Sequence, residues 1–300
     1  MVIWLVIQIA TYLENTVRRF ESEDLCYAHG TENARDEAVY LVLCTLGMPF
    51  DADTLSLQKP ISPEQLELLD ERVRCRIEKR IPVAYLVGKA WFAGHSFRCD
   101  ERALIPRSPI AELIRNRFEP LLKKNPTRIL DLCTGGGCIG IACALEFTQS
   151  YVDLVDISAD ALTLAAENVR DHRLGERVTT WESDLFASLP GQVSYDLLVC
   201  NPPYVAASEL VQLPAEFKQE PRMGLFSEEQ GLAIPVRILR QAADFLSPDG
   251  LLIMEVGSSS ESLLARLGAV PLLWLEFEYG GDGVFALTAE QLQQYRESFS

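Results

Sequence analysis

The sequence lacks the patterns that mark metal-binding and disulfide-rich proteins. Its eight cysteines include no Cys-x-x-Cys pair, and none of its histidines, His29, His95 and His172, stands at metal-ligand spacing from a cysteine. We therefore expect no metal site. Four cysteines fall in or beside apolar segments, as is typical of buried thiols in a reducing compartment: Cys133, Cys138, Cys143 and Cys200.

Long apolar stretches are also scarce. The apolar segment at residues 1–10 is shorter than the roughly 20 residues that a membrane-spanning helix needs, and no basic residues precede it. It passes into a charged helical pattern at residues 13–20, so we interpret it as the first helix of a helical domain. With no recognisable secretion signal, we expect a cytoplasmic protein.

Positive charge is the third deficit. The chain has 27 Lys and Arg against 43 Asp and Glu, a formal net charge of −16, and its basic residues form no cluster. A protein that follows a DNA backbone needs a basic surface to neutralise phosphates, so this charge argues against DNA as a partner. An acidic surface favours a basic protein partner, although solubility alone accounts for it equally well.

The spacing of apolar residues divides the chain into three regions. Residues 1–85 show helical spacing at 14–20, 32–46 and 63–79, which predicts a small helical domain that recognises the substrate. Residues 86–110 predict a hairpin linker. Residues 111–300 are expected to form the third domain. Strands and helices alternate in it from residue 127 onward, which is the pattern of an α/β protein with a parallel, doubly wound sheet.

The elements of the third region can be predicted individually. The first four strands end near residues 132, 155, 182 and 200, and later strands are expected at 251–256, 272–277 and 284–288. Helices are predicted at 138–146, 231–246 and 261–267. The glycine-rich segment at 280–283 predicts a hairpin between the last two strands, which makes the final strand antiparallel.

A strand that runs into a glycine-rich turn is the first candidate ligand site. Residues 129–140, ILDLCTGGGCIG, have the spacing Gly135-x-Gly137-x-x-Gly140, in which glycines let the backbone approach a ligand ahead of a helix N-terminus. Asp156 ends the next strand, where a carboxylate can accept hydrogen bonds from both ribose hydroxyls of an adenosine. These features fit a dinucleotide-dependent dehydrogenase and an S-adenosylmethionine-dependent enzyme equally.

Two further carboxylates separate these alternatives. Asp131 precedes the glycines, an unfavourable place for a group that faces a pyrophosphate but a reasonable one beside a cationic amino-acid ligand. Asp184 follows the third strand, from which it can reach an adenine edge. The carboxyl ends of parallel strands meet at one edge of a sheet, where open α/β sheets bind ligands. The arrangement therefore favours S-adenosylmethionine.

The tetrapeptide Asn201-Pro202-Pro203-Tyr204 follows the fourth strand. Two successive prolines remove two backbone donors, while Asn201 can both donate and accept hydrogen bonds. Tyr204 adds a flat aromatic face against which a planar amide or amine can lie. By themselves these residues allow a glutamine amide, an adenine amine or a cytosine amine as the acceptor, and a proline-rich turn is the simplest alternative.

Together the motifs resemble those of the HemK/PrmB group of glutamine N-methyltransferases, over residues 84–287. The shared segments are DLCTGGGCIG (131–140), NPPY (201–204), EP (220–221), MEVG (254–257) and GGDGVF (280–285). Residues 90–95 and 104–114 are similar to the branch that modifies a large-subunit ribosomal protein of the uL3 type. The release-factor branch usually has Pro-Arg-Pro, where this chain has Pro106-Arg107-Ser108, and Gly136 stands where the group more often has Ser or Thr.

The resemblance implies an α/β fold, a Rossmann-like seven-stranded S-adenosylmethionine-dependent methyltransferase sheet with a small N-terminal helical domain. It also implies methylation of a glutamine side-chain amide in a uL3-type ribosomal protein before assembly. Methylation of release factors, a nucleic-acid amine methyltransferase and a non-catalytic ribosome assembly factor are the alternatives. The oligomeric state is not predicted.

The predicted site residues fall into two groups. The expected catalytic residues are Asn201, Pro202, Pro203 and Tyr204. The expected cofactor-binding residues are Asp131, Cys133, Thr134, Gly135, Gly136, Gly137, Asp156, Asp184, Leu185 and Asn201. We expect Asn201 and the Pro202 carbonyl to accept the two N–H bonds of the glutamine amide, while Tyr204 and Pro203 confine its plane.

Four other residues have two interpretations each. Glu220 lies near the substrate or is a solvated loop charge, and Glu255 orients neighbouring backbone or caps a helix. Arg107 and Ser108 contact the substrate or serve the chemistry of a turn. His95, between aromatic residues in the predicted hairpin, is expected to be a packed histidine rather than a base.

Overall fold

A computed structural model describes residues 7–191 and 193–299. The first described helix begins at Ile9, and the interpretation of residues 1–6 as part of it lies outside the described residues. None of the helices in the described ranges is long and apolar enough to cross a lipid bilayer.

The N-terminal region is helical. Its helices are α1 (Ile9–Glu21), α2 (Ala34–Thr45), α3 (Thr54–Leu57), α4 (Pro63–Glu78) and α5 (Val83–Val87). Helix α4 begins with a reciprocal cap, in which the Gln65 N–H donates to the Ser62 hydroxyl and the Ser62 N–H donates to the Gln65 side chain. Pro63 occupies the first helical position, where no backbone donor is needed.

The core of this region extends beyond the helices. Phe20, Leu41 and Leu69 are fully buried where α1, α2 and α4 meet. Ala90 and Ile105, from the segment that follows, belong to the same apolar cluster. The helical region therefore packs continuously against that segment, and the expected domain boundaries at residues 85 and 110 stay predictions.

The predicted hairpin is formed by β1 (Lys89–Phe92) and β2 (His95–Arg98), which pair antiparallel. Its two turn residues, Ala93 and Gly94, have φ of 50° and 87°. Positive φ at both turn positions gives the turn a twist that matches the right-handed twist of the strands. The hairpin begins later than residue 86, because α5 occupies the start of the predicted linker.

Seven strands of the described residues form one sheet. They are β3 (Arg128–Leu132), β4 (Tyr151–Asp156), β5 (Val178–Glu182), β6 (Tyr195–Cys200), β7 (Leu246–Glu255), β8 (Leu273–Trp274) and β9 (Val284–Thr288). The order across the sheet is β5-β4-β3-β6-β7-β9-β8, and only β9 runs antiparallel to its neighbours. The predicted α/β fold with an antiparallel last strand is confirmed.

Helices cover both faces of the sheet. They are α6 (Ile110–Arg115), α7 (Cys138–Glu146), α8 (Ala159–Asp171), α9 (Ala207–Leu210), α10 (Arg222–Leu225), α11 (Glu228–Gly231), α12 (Ala233–Ala242), α13 (Ser260–Leu267) and α14 (Ala289–Gln294). Alternate residues of β3 enter opposite cores: Ile129 packs with α7 and α8, and Leu130 packs with α12 and α14. Such near-continuous apolar strands are expected in a sheet that is covered on both faces.

Two elements are shorter in the structure than the sequence predicts. The strand expected at 272–277 is only Leu273–Trp274, because the backbone beyond it turns toward α6, where Glu278 N–H donates to the Glu112 carboxylate. The helix expected at 231–246 is shorter, since β7 begins at Leu246 and the Phe245 carbonyl accepts from the backbone of Tyr195.

The strand order positions the site. The chain leaves β3 toward β4 and β5, then returns to the other side of β3 as β6. The connections on the two sides of this reversal diverge and leave a crevice at the carboxyl ends of β3 and β6. The glycine-rich turn follows β3, and Asn201 follows β6, so both lie at that crevice.

Candidate active site

The glycine-rich turn after β3 has a backbone conformation that few residues other than glycine adopt. Gly135 and Gly137 have φ of 54° and 84°, in the left-handed region. A Cβ on Gly140 would lie 2.2 Å from the Leu154 side chain and 3.0 Å from the Asp131 carboxylate. The glycines therefore allow both the turn and the close approach of α7 to the sheet.

Asp131 lies beneath this turn and is wholly buried. Its Oδ2 accepts from the Thr134 hydroxyl at 2.6 Å and from the Gly140 N–H at 2.8 Å. Its Oδ1 has no hydrogen-bond partner within the described residues. Burial raises the pKa of Asp131 to about 7 despite these two hydrogen bonds. Asp131 thus shapes the turn from below, and its expected contact with the cofactor stays a prediction.

Asp156 joins the turn to the next strand. One of its oxygens accepts from the Gly135 N–H at 2.8 Å, and the other accepts from the Ser158 N–H at 2.9 Å. Burial raises its pKa, although these backbone donors favour the charged form. Asp156 also borders a large cavity, and its expected contact with a ribose stays a prediction.

The predicted adenine end of the site lies after β5. Asp184 and Leu185 both border the cavity, and Leu185 adopts a φ of 53°. The Asp184 carboxylate accepts from Arg237 of α12 at 2.8 Å, and about half of its side chain is exposed. The expected contact of Asp184 with an adenine edge stays a prediction, and in it the adenine would share the carboxylate with Arg237.

The cavity at the crevice has a volume of about 1020 Å³. Most of the predicted site residues line it: Cys133, Thr134, Gly135, Gly136, Asp156, Asp184, Leu185, Asn201, Pro203 and Tyr204. Within the described residues, Asp131, Gly137 and Pro202 are not part of this lining. Pro202 is buried, so the expected contact of its carbonyl with a substrate stays a prediction.

The tetrapeptide Asn201–Tyr204 is held by neighbours on both sides. The Tyr204 carbonyl accepts from the Ser259 hydroxyl at 2.6 Å. The Tyr204 ring lies against Gly257, where an added Cβ would stand 2.6 Å from the ring. Val205, the next residue, pairs with the segment that ends α10, through a hydrogen bond from its N–H to the Leu225 carbonyl.

Glu255 ends β7 beside the tetrapeptide and is buried. Its Oε1 accepts from the Tyr204 hydroxyl at 3.0 Å, and its Oε2 accepts from the Ser108 hydroxyl at 2.5 Å. Burial raises its pKa to about 7, while Ser108, Tyr204, Arg107 and Asn201 all favour the charged form. Neither predicted interpretation of Glu255 named these contacts.

Glu220 is not a solvated loop charge. Its two oxygens accept from the Arg107 guanidinium, each at 2.6 Å, and one of them also accepts from the Ile105 N–H at 2.9 Å. His29 of the helical region approaches the same carboxylate at 3.4 Å. Burial by itself would raise the pKa of Glu220, but the contacts with His29 and Arg107 lower it to about 2.

The loop that carries Glu220 is fixed at a second point. Arg76 of α4 is fully buried and donates to the Glu37 carboxylate, the Glu216 carboxylate and the Cys26 carbonyl, each at 2.9 Å. Sequence reasoning missed this cluster, because its members stand up to 190 positions apart and have no common local pattern. His29 was likewise not identified as a member of the site.

Two other expectations concern metals and His95. The described residues contain no cluster of three or more His, Cys, Asp or Glu side chains that could hold a metal ion.

His95 is half-buried, its ring lies edge-on to that of His172 with 6.1 Å between the centroids, and burial lowers its pKa. It is not part of the cavity lining among the described residues.

Comparison with known proteins identifies the family to which the chain is similar. Residues 116–220 match the model of the methyltransferase small domain, and residues 22–88 match that of the PrmC N-terminal domain. The ribosomal protein uL3 glutamine methyltransferase of Francisella tularensis is 41% identical over 97% of this chain and 93% of its own. That of Xanthomonas campestris is 47% identical over 91% of this chain and 89% of its own.

The chain belongs to the family of ribosomal protein uL3 glutamine methyltransferases. The predicted resemblance to glutamine N-methyltransferases and the predicted enzyme class, a methyltransferase, are confirmed by this membership. The solved catalytic domain of hMettl16, in complex with the MAT2A 3′UTR hairpin 1, has a TM-score of 0.52 at 15% identity, over 94% of this chain and 91% of its own. At that identity it supports the methyltransferase fold alone.

Proposed function

We propose that this protein transfers a methyl group from S-adenosylmethionine to the side-chain amide nitrogen of a glutamine in ribosomal protein uL3. The observation that carries the proposal is the position of Asn201, Pro203 and Tyr204 on the same cavity as the glycine-rich turn. The names of the two relatives support this substrate. They do not favour release factors, nucleic-acid amines or a non-catalytic assembly role.

The residues around the cavity fit S-adenosylmethionine. A volume of about 1020 Å³ lies at the upper end of the range for ligand pockets, roughly 300–1,000 Å³, and leaves room for a substrate side chain beside the cofactor. The turn residues 133–136, Asp156, Asp184 and Leu185 would hold it. When bound, this cofactor supplies an electrophilic methyl group on a positively charged sulfur.

The charge of the lining supports a cationic ligand. Its arginines are each paired with a carboxylate: Arg102 with Asp100 and Glu167, Arg107 with Glu220, and Arg237 with Asp184. Glu101, Asp160, Glu209 and Asp282 add further acidic groups to the lining. In a partly desolvated cavity such groups favour a positive charge more strongly than they would in water.

Asn201 and its neighbours would prepare the amide nitrogen. That nitrogen is weakly nucleophilic because its lone pair is delocalised into the carbonyl, so position matters more than basicity. The Asn201 side-chain oxygen would accept one N–H of the substrate amide, while Pro203 and Tyr204 would confine its plane. Good orientation can lower a barrier by roughly 7–11 kcal/mol. An acceptor dipole at the remaining N–H also stabilises the positive charge that develops there.

The net charge of the protein supports a free form of the substrate. With a net charge of −16, the protein attracts basic proteins and is repelled by the polyanion of assembled ribosomal RNA. We propose that the enzyme acts on the free ribosomal protein in the cytoplasm, before it is assembled.

The test uses the purified protein with methyl-labelled S-adenosylmethionine. Free uL3, assembled large subunits, a release factor and duplex DNA are offered separately, and the label is located by mass spectrometry. We expect label on one glutamine of free uL3, less on assembled subunits, and none with Asn201→Ala although that variant folds. Label on the release factor or the DNA instead would refute the substrate, and cofactor binding without label on any substrate would refute the activity.

A further inference from the structure

Glu255 lies beside the tetrapeptide, but the proposed methyl transfer gives it no role. It ends β7, next to β6, so its side chain reaches the tetrapeptide that follows β6. It lines the cavity and yet is only 4% exposed. A buried carboxylate is costly unless donors surround it, and two hydroxyls donate to Glu255, those of Tyr204 and Ser108.

Tyr204 is fixed by the same carboxylate. Its hydroxyl donates to Glu255 Oε1 at 3.0 Å, and Gly257 supports the other side of the ring. Rotation of Glu255 would therefore release the Tyr204 hydroxyl.

Ser108 fixes Glu255 in turn. Its hydroxyl donates to Oε2 at 2.5 Å and accepts from the Ile110 N–H at 3.2 Å, so the hydroxyl has a definite direction. This contact reaches across 147 positions of the sequence, from the segment after the hairpin to the end of β7. It binds the carboxylate to the start of α6.

We propose that Glu255 is a positioning residue for the methyl transfer: it holds Tyr204 so that the ring confines the plane of the substrate amide, and Ser108 holds Glu255 in place. The inference rests on the proposed function, because it concerns the orientation of the glutamine amide. Glu255 does not itself touch the methyl group or take a proton in this role.

The role requires a charged carboxylate. The groups that face Glu255 are Ser108 at the start of α6, Arg107 beside it, and Asn201 and Tyr204 after β6. Burial opposes the charge while all four groups favour it, and the resulting pKa is about 7. A proton on either oxygen would replace an acceptor by a donor and displace one of the two hydrogen bonds. Activity should therefore fall as the pH is lowered through about 7.

The first variant is Glu255→Gln, which keeps the volume but removes the charge. We expect kcat on free uL3 to fall about 100-fold, as a misplaced reacting group typically causes, with little change in KM. The affinity for S-adenosylmethionine, measured by calorimetry, should stay at the wild-type value because the turn after β3 is not touched. The acid limb of the kcat–pH profile should disappear from the residual activity.

The second variant is Ser108→Ala, which leaves Glu255 in place. Loss of the Ser108 hydroxyl removes a donor that favours the charged carboxylate, so the acid limb should move to higher pH. The matched control is Ser247→Ala, which removes a serine–carboxylate hydrogen bond to Asp196 at the opposite end of β7. The control should leave the acid limb where the wild type has it.

Each result has a definite meaning. An unchanged kcat and acid limb in Glu255→Gln would overturn the positioning role while the methylation of uL3 stands. If wild-type protein does not label uL3, the proposed function fails instead. If Glu255→Gln does not fold, as judged by its melting curve, an acid limb that stays fixed in Ser108→Ala would overturn the proposal.

Discussion

Arg107 and Glu220 form a two-pronged ion pair, with both guanidinium-to-carboxylate distances at 2.6 Å. The Glu220 side chain is completely buried, and that of Arg107 is 26% exposed. Phe217 lies against the guanidinium and also against the His29 ring. The pair therefore joins the loop after β6 to the segment before α6 and to the helical region, around one wall of the cavity.

Glu220→Gln should be strongly destabilising. It leaves the Arg107 charge in a partly buried site without its partner, which costs about 3 kcal/mol in the free energy of unfolding. Urea unfolding at neutral pH measures this. The control is Asp171→Asn, which breaks the exposed pair with Arg98 and should leave the free energy of unfolding nearly unchanged. Equal losses in the two variants would contradict the prediction.

The same ion pair predicts how the free energy of unfolding depends on pH. The pKa of Glu220 is lowered to about 2 in the folded protein, below its ordinary value near 4.5. Its stabilising contribution is therefore fully present above about pH 4.5 and is lost as the pH falls through about 2. The free energies of unfolding of wild type and Glu220→Gln, measured in urea, should converge over this range. A constant difference between them would show that another group is responsible.

Glu255→Gln should have the opposite effect on stability. The folded pKa of Glu255, about 7, lies above its ordinary value, so the folded protein holds a proton that the unfolded chain releases between about pH 4.5 and 7. The charged carboxylate thus lowers stability as the pH rises. The variant should be more stable than wild type at pH 8, by up to about 3 kcal/mol, and show no such gain at pH 4. Urea unfolding at the two pH values measures this, and a gain that does not change with pH would contradict it.

Arg76→Met should loosen the loop that carries Glu216. Removal of the fully buried guanidinium leaves the buried Glu37 carboxylate without its cation and leaves Glu216 with only Arg80, at 3.9 Å. We expect a loss of about 3–5 kcal/mol and a higher KM for uL3. Adding Glu37→Gln and Glu216→Gln should restore part of the stability. As a control, Arg18→Met breaks only an exposed pair on α1 and should cost about 0.5 kcal/mol or less.

Gly140→Ala tests the packing beneath the cofactor site. The added Cβ would stand 2.2 Å from the Leu154 side chain and 3.0 Å from Asp131, so the turn or α7 must move. We expect a loss of about 1–3 kcal/mol and weaker binding of S-adenosylmethionine, measured by thermal unfolding and calorimetry. Gly175→Ala is the control, because nothing lies within 4 Å of a Cβ there and its φ is not left-handed. Unchanged cofactor affinity in Gly140→Ala would contradict the prediction.

Local patterns predicted the elements that carry the site. Helix α7 begins and ends at the predicted residues, Cys138 and Glu146, because glycines precede it and an apolar pattern continues through it. The strand ends at Leu132, Asp156 and Cys200 were likewise close to prediction. These features depend on residues within a few positions of one another, so a sequence can reveal them.

Contacts between distant segments could not be predicted in this way. Glu220 has the same immediate neighbours whether it is solvated or paired, and only the fold brings Arg107 from 113 positions away. The Ser108–Glu255 contact and the Arg76 cluster have the same character. In each case the partner is chosen by the packing of elements that no local pattern relates.

The sequence by itself determined the class of fold and the positions of the glycine-rich turn and the tetrapeptide at the carboxyl ends of the strands, because strand ends, glycines and prolines act through local backbone geometry. Only the tertiary structure decided the charge and direction of the groups around them. It buried Glu255 beside Asn201 and Tyr204 and paired Glu220 with Arg107. The protonation and orientation of a carboxylate depend on desolvation and on nearby donors, and these are set when distant segments pack together.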